Sequence, residues 1–252
     1  MNTNKNSYIF IYASVMVIIV AFLLAFVSSA LKPIQQKNVE LDKKKQVLAA
    51  LNIFEKDAEA AYNTYVKADQ LLNADGTVAA EQGGFAVENA AVSEAQLPLY
   101  VCEVEGETKY VLPLYGAGLW GPIWGYVALN ADKETIYGVY FSHAGETPGL
   151  GAEITNRDKF QVPFIGKKAV NANNEVIISV VKKIADNTCE VNGISGGTIT
   201  SNGVNAMLKD GIGLYKAFLA KGVCEQACCA AACDSTACAA EVPAEVIEVV
   251  NE

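Results

Sequence analysis

PIWGYVALNADKETIYGVYFS, residues 122–142, decides the fold class. Apolar and aromatic residues run on both sides of Asn130-Ala131-Asp132-Lys133, a cluster of turn formers. Two such runs joined by a short polar turn read as an antiparallel hairpin. The same device stands just upstream. LPLYVCEVEGETKYVLPLY, residues 97–115, reads as two strands around Glu105-Gly106-Glu107-Thr108. A further strand is expected at EVIISVVKK, residues 175–183. Val204, Met207, Leu208, Ile212, Tyr215, Phe218 and Leu219 then fall three or four apart, which makes one helical face. EKDAEAAYNTYVKADQLLNADG, residues 55–76, reads as a helix stopped at Asp75-Gly76. The expected fold class is α+β over residues 55–222: an antiparallel sheet with flanking helices.

Ahead of this domain lies YIFIYASVMVIIVAFLLAFVSSAL, residues 8–31, with no charge between Lys5 and Lys32. About 20 apolar residues span a bilayer, so the run reads as an uncleaved transmembrane helix. Ser28 and Ala30 offer a small-x-small cleavage site, but the run exceeds the roughly 7–15 residues of a signal core. Residues 32–54 read as a charged juxtamembrane helical stalk, with Val39, Val47, Leu48 and Leu51 near helical spacing. Lysines 32, 37, 43, 44 and 45 follow the span, which by charge alone favours a cytoplasmic domain. Long domains translocate largely regardless of such charges, so orientation stays open on this count. The span holds no carboxylate, which argues against an ion path through it.

Composition excludes several functions. Net charge is -9, with a single arginine, Arg157, which argues against nucleic acid, since phosphate neutralisation needs a basic face. A single histidine, His143, excludes histidine-rich metal sites. Residues 223–252 carry six acidic residues, no lysine or arginine, and five of the seven cysteines, at 224, 228, 229, 233 and 238. No CxxC pair occurs there, so no metal site is expected; the segment reads as a disordered acidic tail. Cys102, inside a strand pattern, reads as a small buried hydrophobe.

Three glycine-rich stretches remain: YGAGLWGPIWGY (115–126), GETPGLGAEI (145–154) and GISGGTITSNGV (193–204). None is a Walker-type phosphate loop, and GAGLWG sits between strands rather than in a βαβ unit. The first two read by themselves as tight turns. The third leads into the amphipathic helix with four hydroxyls in seven residues: Ser195, Thr198, Thr200 and Ser201. A side-chain cap needs one of them, and Thr198, Thr200 and Ser201 are all candidates. Amides at a helix start also favour phosphate. A threonine hydroxyl is a weak nucleophile, and no activating base is visible near it in sequence.

SGGTIT, residues 195–200, resembles the S-G-A-T-x-[ST] motif of flavoproteins that carry FMN in phosphoester linkage to threonine. The stretches KPIQQKNVELDKKKQVLA, GLWGPIWGYVALN, GETPGLGAEI and NGISGGTITSNGV stand in the order seen in the C subunit of the Na+-translocating NADH:quinone oxidoreductase. The chain resembles that family over residues 8–222. The G subunit of the Rnf electron-transport complex is a related alternative, and a membrane-anchored, non-redox module for a phosphorylated ligand is another. Gly197 stands where the motif has alanine, and Asn192 where an aspartate is common.

The resemblance implies that Thr200 bears FMN, attached by a separate flavin transferase that uses FAD. Ser195, Gly196, Gly197 and Thr198 would surround the phosphate. Glu146, Thr147, Gly149, Leu150 and Gly151 would line the ring, with Trp120 packed near it or in ordinary core or interface packing. Lys167 and Lys168 either offset phosphate charge or are solvated. The chain would have no catalytic residue of its own. It would relay electrons from an iron–sulfur-bearing subunit to a second FMN-bearing subunit and on to ubiquinone, in a complex that oxidises NADH and exports sodium. The resemblance also places the chain in a bacterial inner membrane, in contact with lipid, with the flavin domain on the periplasmic face, where tail disulfides are allowed.

Overall fold

The computed structural model of the chain describes residues 6–220. The acidic cysteine-bearing tail from residue 223 lies outside the described residues.

Helix α1 (Asn6–Ala50) carries the expected span and the expected stalk as one run, with Pro33 between the apolar and the charged part. At about 1.5 Å per residue it is roughly 70 Å long. It is long and apolar enough to cross a membrane. Phe10, Val17, Phe22 and Leu24 are 66–72 % exposed. The far end is different: Val47, Leu48, Ala50 and Leu51 are 0–2 % exposed, so these turns belong to the domain core rather than to a solvated stalk. Trp124 donates its indole N–H to Gln46 Oε1 at 3.0 Å, which fixes the helix on the sheet. Asn52, at φ 59, turns the chain out of the helix, and the Ile53 amide caps the Leu48 carbonyl at 3.0 Å.

The short helix α2 (Ala58–Tyr65) starts at Asp57, whose carboxylate accepts the Glu59 and Ala60 amides at 3.1 Å. Expected helix then gives way to strand. Residues 66–72 form β1 (Val66–Leu72), not a continued helix. Lys, Ala, Gln and Leu suit a helix, but β1 is paired on both sides, to β2 (Val78–Ala80) and to β3 (Leu97–Val104). Tertiary pairing overrides a weak local preference.

The two expected hairpins are present. β3 turns through Glu105-Gly106 into β4 (Glu107–Ala117). β5 (Pro122–Leu129) pairs with β6 (Ile136–His143), from Ile123 opposite His143 to Leu129 opposite Ile136. Asp132 organises that turn by accepting the Glu134 and Thr135 amides at 3.0 and 2.9 Å. Among the described residues the main sheet has six strands in the order β2-β1-β3-β4-β5-β6, every neighbour antiparallel.

Both faces of this sheet are covered, so its strands carry apolar residues on both sides. Leu99, Leu112, Leu114, Ile123 and Val127 join one core with Met207, Leu208, Ile212 and Tyr215 of the C-terminal segment. Tyr100, Cys102, Val111, Tyr126 and Ala128 join the other with the end of α1 and with α2. Cys102 is fully buried, and burial pushes its thiol up to about 12, as expected of an inert hydrophobe.

The expected strand over 175–183 shrinks to β7 (Ser179–Val181), which pairs in parallel with β8 (Glu190–Asn192) outside the main sheet. Val176 instead bridges Val170, and Ile178 is fully buried in the first core. Helix α3 (Thr198–Leu214) then crosses the first face. Its contact with β4 is close: a Cβ on Gly211 would stand 2.6 Å from Leu114 Cδ2, and one on Gly203 would overlap the Ala117 carbonyl oxygen.

Candidate functional site

Two segments far apart in sequence meet at the start of α3. The first leaves β6 at His143 and runs through residues 144–151. It is tied down behind by Gln161, whose Nε2 donates to the carbonyls of Phe141 at 3.2 Å and Ile154 at 3.1 Å. Phe141, Phe160 and Phe164 pack edge to face, with centroids 5.3–5.9 Å apart, and wedge the returning segment onto β6. The second segment is residues 193–200, leading from β8 into the helix.

Between them lies a cleft of about 220 Å³. Leu119, Thr147, Leu150, Gly196, Thr198 and Ile199 line its sides, with Glu146, Gly151, Gly197 and Thr200 completing it. Thr200 is 1 % exposed and Glu146 5 %. Thr200 Oγ1 donates to Glu146 Oε2 at 2.6 Å. The other carboxylate oxygen accepts the Trp120 amide at 2.9 Å. The Glu146 amide itself donates to His143 Nδ1 at 3.1 Å. A Cβ at Gly151 would overlap Glu146 Oε2 and stand 2.5 Å from Thr200 Oγ1, so any larger residue there would displace that pair.

Burial disfavours the charged form of Glu146, but the Thr200 hydroxyl and the Trp120 and Leu119 amides outweigh it. The carboxyl is therefore held below its ordinary value, helped by His143. A buried carboxylate facing a hydroxyl is a proton acceptor in position. No such group stands near this threonine in sequence; the carboxylate it meets comes from 54 residues upstream.

The helix is not capped by a hydroxyl. Its N-cap is Gly197, with no side-chain cap bond. Ser201, one of the candidates, instead accepts the Ile194 amide at 2.9 Å and donates to the Gly197 carbonyl at 2.9 Å. It stiffens the loop. The amides of the first turn have no intrahelical acceptor and face the cleft end of the helix.

Residues 118–213, which include both segments, match the FMN-binding domain family. The chain is 32 % identical over 230 residues to the C subunit of the Na(+)-translocating NADH-quinone reductase of Haemophilus ducreyi, covering 79 % of this chain and 89 % of the relative. It is 30 % identical to the C subunit of the Pseudomonas aeruginosa reductase, over 88 % and 98 %. The chain belongs to this C-subunit family. The crystal structure of the C subunit from Parabacteroides distasonis superposes with a TM-score of 0.71 at 44 % identity, over 75 % of this chain and 96 % of that one.

The other expected site residues of this family member are distributed unevenly. Gly196 and Thr198 border the cleft and also a neighbouring depression of about 430 Å³, which Ser195, Lys182 and Asn202 line. Gly149 sits at φ 73 in the turn where the Leu150 and Ala152 amides meet the Thr147 carbonyl. Trp120 is 70 % exposed, which removes the core-packing reading; its backbone, not its ring, serves Glu146. Lys167 is engaged by Asn187 and Lys168 by Glu134, so both are committed elsewhere. Asn192 ends β8 and is exposed. Two lining residues escaped sequence reasoning, Leu119 and Ile199, 48 % and 58 % exposed. An isoleucine left bare between two threonines at a helix start is the signal that was available for Ile199.

Proposed function

We propose that this chain is the electron-carrying subunit of a membrane Na+-translocating NADH:quinone reductase and that it holds FMN through a phosphoester to Thr200. One observation carries the attachment point. Of the four hydroxyls at the start of α3, Thr200 is the one that donates to a carboxylate among the described residues, and it does so at the cleft.

The residues present fit the group. First-turn amides of α3 suit a phosphate in charge and direction. Leu119, Leu150 and Ile199, each 42–58 % exposed, offer an apolar rim to a flat ring, and the Trp120 indole stands free beside Leu119. When bound, FMN supplies one- and two-electron redox chemistry; the protein supplies attachment, orientation and surroundings. Ser201 and Gly197 hold the loop that presents Thr200. Glu146 fixes the Thr200 side chain, and the exposed rim leaves one side open to a neighbouring subunit.

The partners in this reading are an iron–sulfur-bearing subunit as donor and a second FMN-bearing subunit as acceptor, with quinone as the terminal acceptor. A flavin transferase matures the chain. The apolar part of α1 anchors it in the bacterial inner membrane, with the flavin domain on the outer face.

The test is a denaturing gel under ultraviolet light, on chain made in cells that supply the transferase. A fluorescent band that survives denaturation is expected. Thr200→Ala should abolish it and Thr198→Ala should retain it. A wild-type chain that stays dark, or a fluorescent Thr200→Ala chain, overturns the attachment.

A further inference from the structure

We infer that Glu146 is the catalytic proton acceptor for esterification of Thr200, so that the chain brings its own base to the reaction that loads it. This rests on the reading of Thr200 as the ester-bearing residue.

In the reaction, Thr200 Oγ1 attacks the flavin-side phosphorus of a flavin dinucleotide presented by the transferase. The Oγ1–P bond forms. The bond from that phosphorus to the bridging oxygen of the pyrophosphate breaks, and its electron pair leaves with adenosine monophosphate. The hydroxyl proton passes from Oγ1 to Glu146 Oε2. Nothing is oxidised or reduced.

The geometry for that transfer is already made. Oγ1 and Oε2 are 2.6 Å apart, within the range for transfer along a hydrogen bond. Oε1 is occupied by the Trp120 amide, which turns Oε2 to the threonine. The backbone under Glu146 is pinned through its amide to His143 Nδ1. His143, at the end of β6, is the titratable group facing the carboxylate; from α3 it meets the Thr200 hydroxyl, and from residues 118–120 only backbone amides. The other hydroxyls lack this partner. Ser201 is spent between Ile194 and Gly197, and Ser195 and Thr198 are exposed.

The arrangement also makes the step directional. The Thr200 hydroxyl is among the groups that keep the Glu146 carboxyl low, and esterification consumes that hydroxyl. The buried carboxyl then faces an ester oxygen and a phosphate charge in place of a donor. Its protonated form is favoured, and the acid O–H becomes a donor to the new phosphate. A carboxylate left charged there would repel the group that had just been attached.

The experiment uses the full chain in detergent with purified transferase and flavin dinucleotide, and reads the initial rate of fluorescence incorporation on denaturing gels from pH 6 to 9. Glu146→Gln keeps the size and removes the base, and it leaves one acceptor oxygen where the carboxylate has two. It should load on the order of 100-fold more slowly at neutral pH. The deficit should shrink as pH rises and hydroxide takes over, a trend that a merely structural role would not produce. Glu146→Asp should recover part of the rate. A Glu146→Gln chain that loads within about threefold of wild type, with the same pH profile, overturns the inference and leaves the attachment reading intact. A wild-type chain that never loads overturns both. Circular dichroism melts check that the variant folds. If it does not, the carboxyl carbon of Glu146 is titrated by NMR in wild-type chain before and after loading. A rise in its pKa on loading is expected; an unchanged or lower value overturns the inference.

Discussion

Gly203 in α3 lies directly against Ala117 at the end of β4, with no room between its Cα and the Ala117 carbonyl oxygen for a methyl group. The obstacle is backbone, which cannot rotate away as a side chain can. Gly203→Ala should therefore lower stability by about 1–3 kcal/mol or more. It should also lift the first turns of α3, drawing Thr200 away from Glu146. Thermal melts read the first effect, and the rate of flavin loading reads the second. An unchanged melting temperature would place α3 farther from β4 than described.

Gln161 holds the loop that carries Glu146. Its buried amide serves two backbone carbonyls, Phe141 and Ile154. Gln161→Leu keeps the volume and leaves those acceptors unpaired, at a cost of about 1–3 kcal/mol. Chemical denaturation measures it. Loading should slow as well, since the segment 144–151 loses its brace.

Acid should erase what Glu146 contributes to folding. Burial raises its pKa, but hydrogen bonds from Thr200, Trp120 and Leu119 prevail, so the folded value lies below the unfolded one. A carboxyl of that kind stabilises the fold fully above its unfolded pKa, about 4.3, and the contribution is lost as pH falls through the folded value. In unloaded chain, the stability gap between wild type and Glu146→Gln should be constant near neutrality and close as pH drops below about 4. Urea denaturation at several pH values tests the sign. A gap that widens toward acid would mean that burial, not hydrogen bonding, controls the group.

Gly197→Ala restores the commoner residue of the motif. A Cβ there would stand 3.1 Å from Ile194 Cγ2 and 3.3 Å from the Leu150 carbonyl carbon. With Ile194 Cβ also 3.2 Å away, all three contacts are tight and need shifts of a few tenths of an ångström. The cost should stay under about 1.5 kcal/mol, with covalent loading retained. Loss of loading in Gly197→Ala would show that this chain's loop is built specifically around glycine.

Truncation separates the two parts of α1. Removing residues 1–34 takes away the exposed apolar run and should leave a folded, soluble domain. Removing residues 1–54 also takes Val47, Leu48, Ala50 and Leu51 out of the second core and should unfold it. Size-exclusion chromatography and circular dichroism distinguish these outcomes. A stable domain lacking residues 1–54 would show that α1 only rests on the sheet.

Much was legible from residues 97–142 and 204–219, because turn chemistry and side-chain period act over a few positions. Asn130 to Lys133 announces its hairpin locally, and Val204 to Leu219 announces its helix face. The motif around Thr200 was equally local. β1 was not legible: Val66–Leu72 has a helix-compatible composition, and its strand state exists only because β2 and β3 flank it. Residues 175–183 looked like a sheet strand, and most of their apolar residues turned instead into the core.

By itself, then, the sequence determined the apolar span, the antiparallel hairpins, the α3 face and the cluster of hydroxyls at its start. The motif's resemblance already pointed to Thr200; only the tertiary structure decided which side chain its hydroxyl meets. Thr200 and Glu146 are 54 residues apart and share no local pattern. They meet because the Phe141, Phe160 and Phe164 packing holds one segment onto β6 while Gly203 lets α3 settle against β4. A hydrogen bond at 2.6 Å between buried groups follows from those two packings, and side-chain period and turn chemistry cannot encode it at that separation.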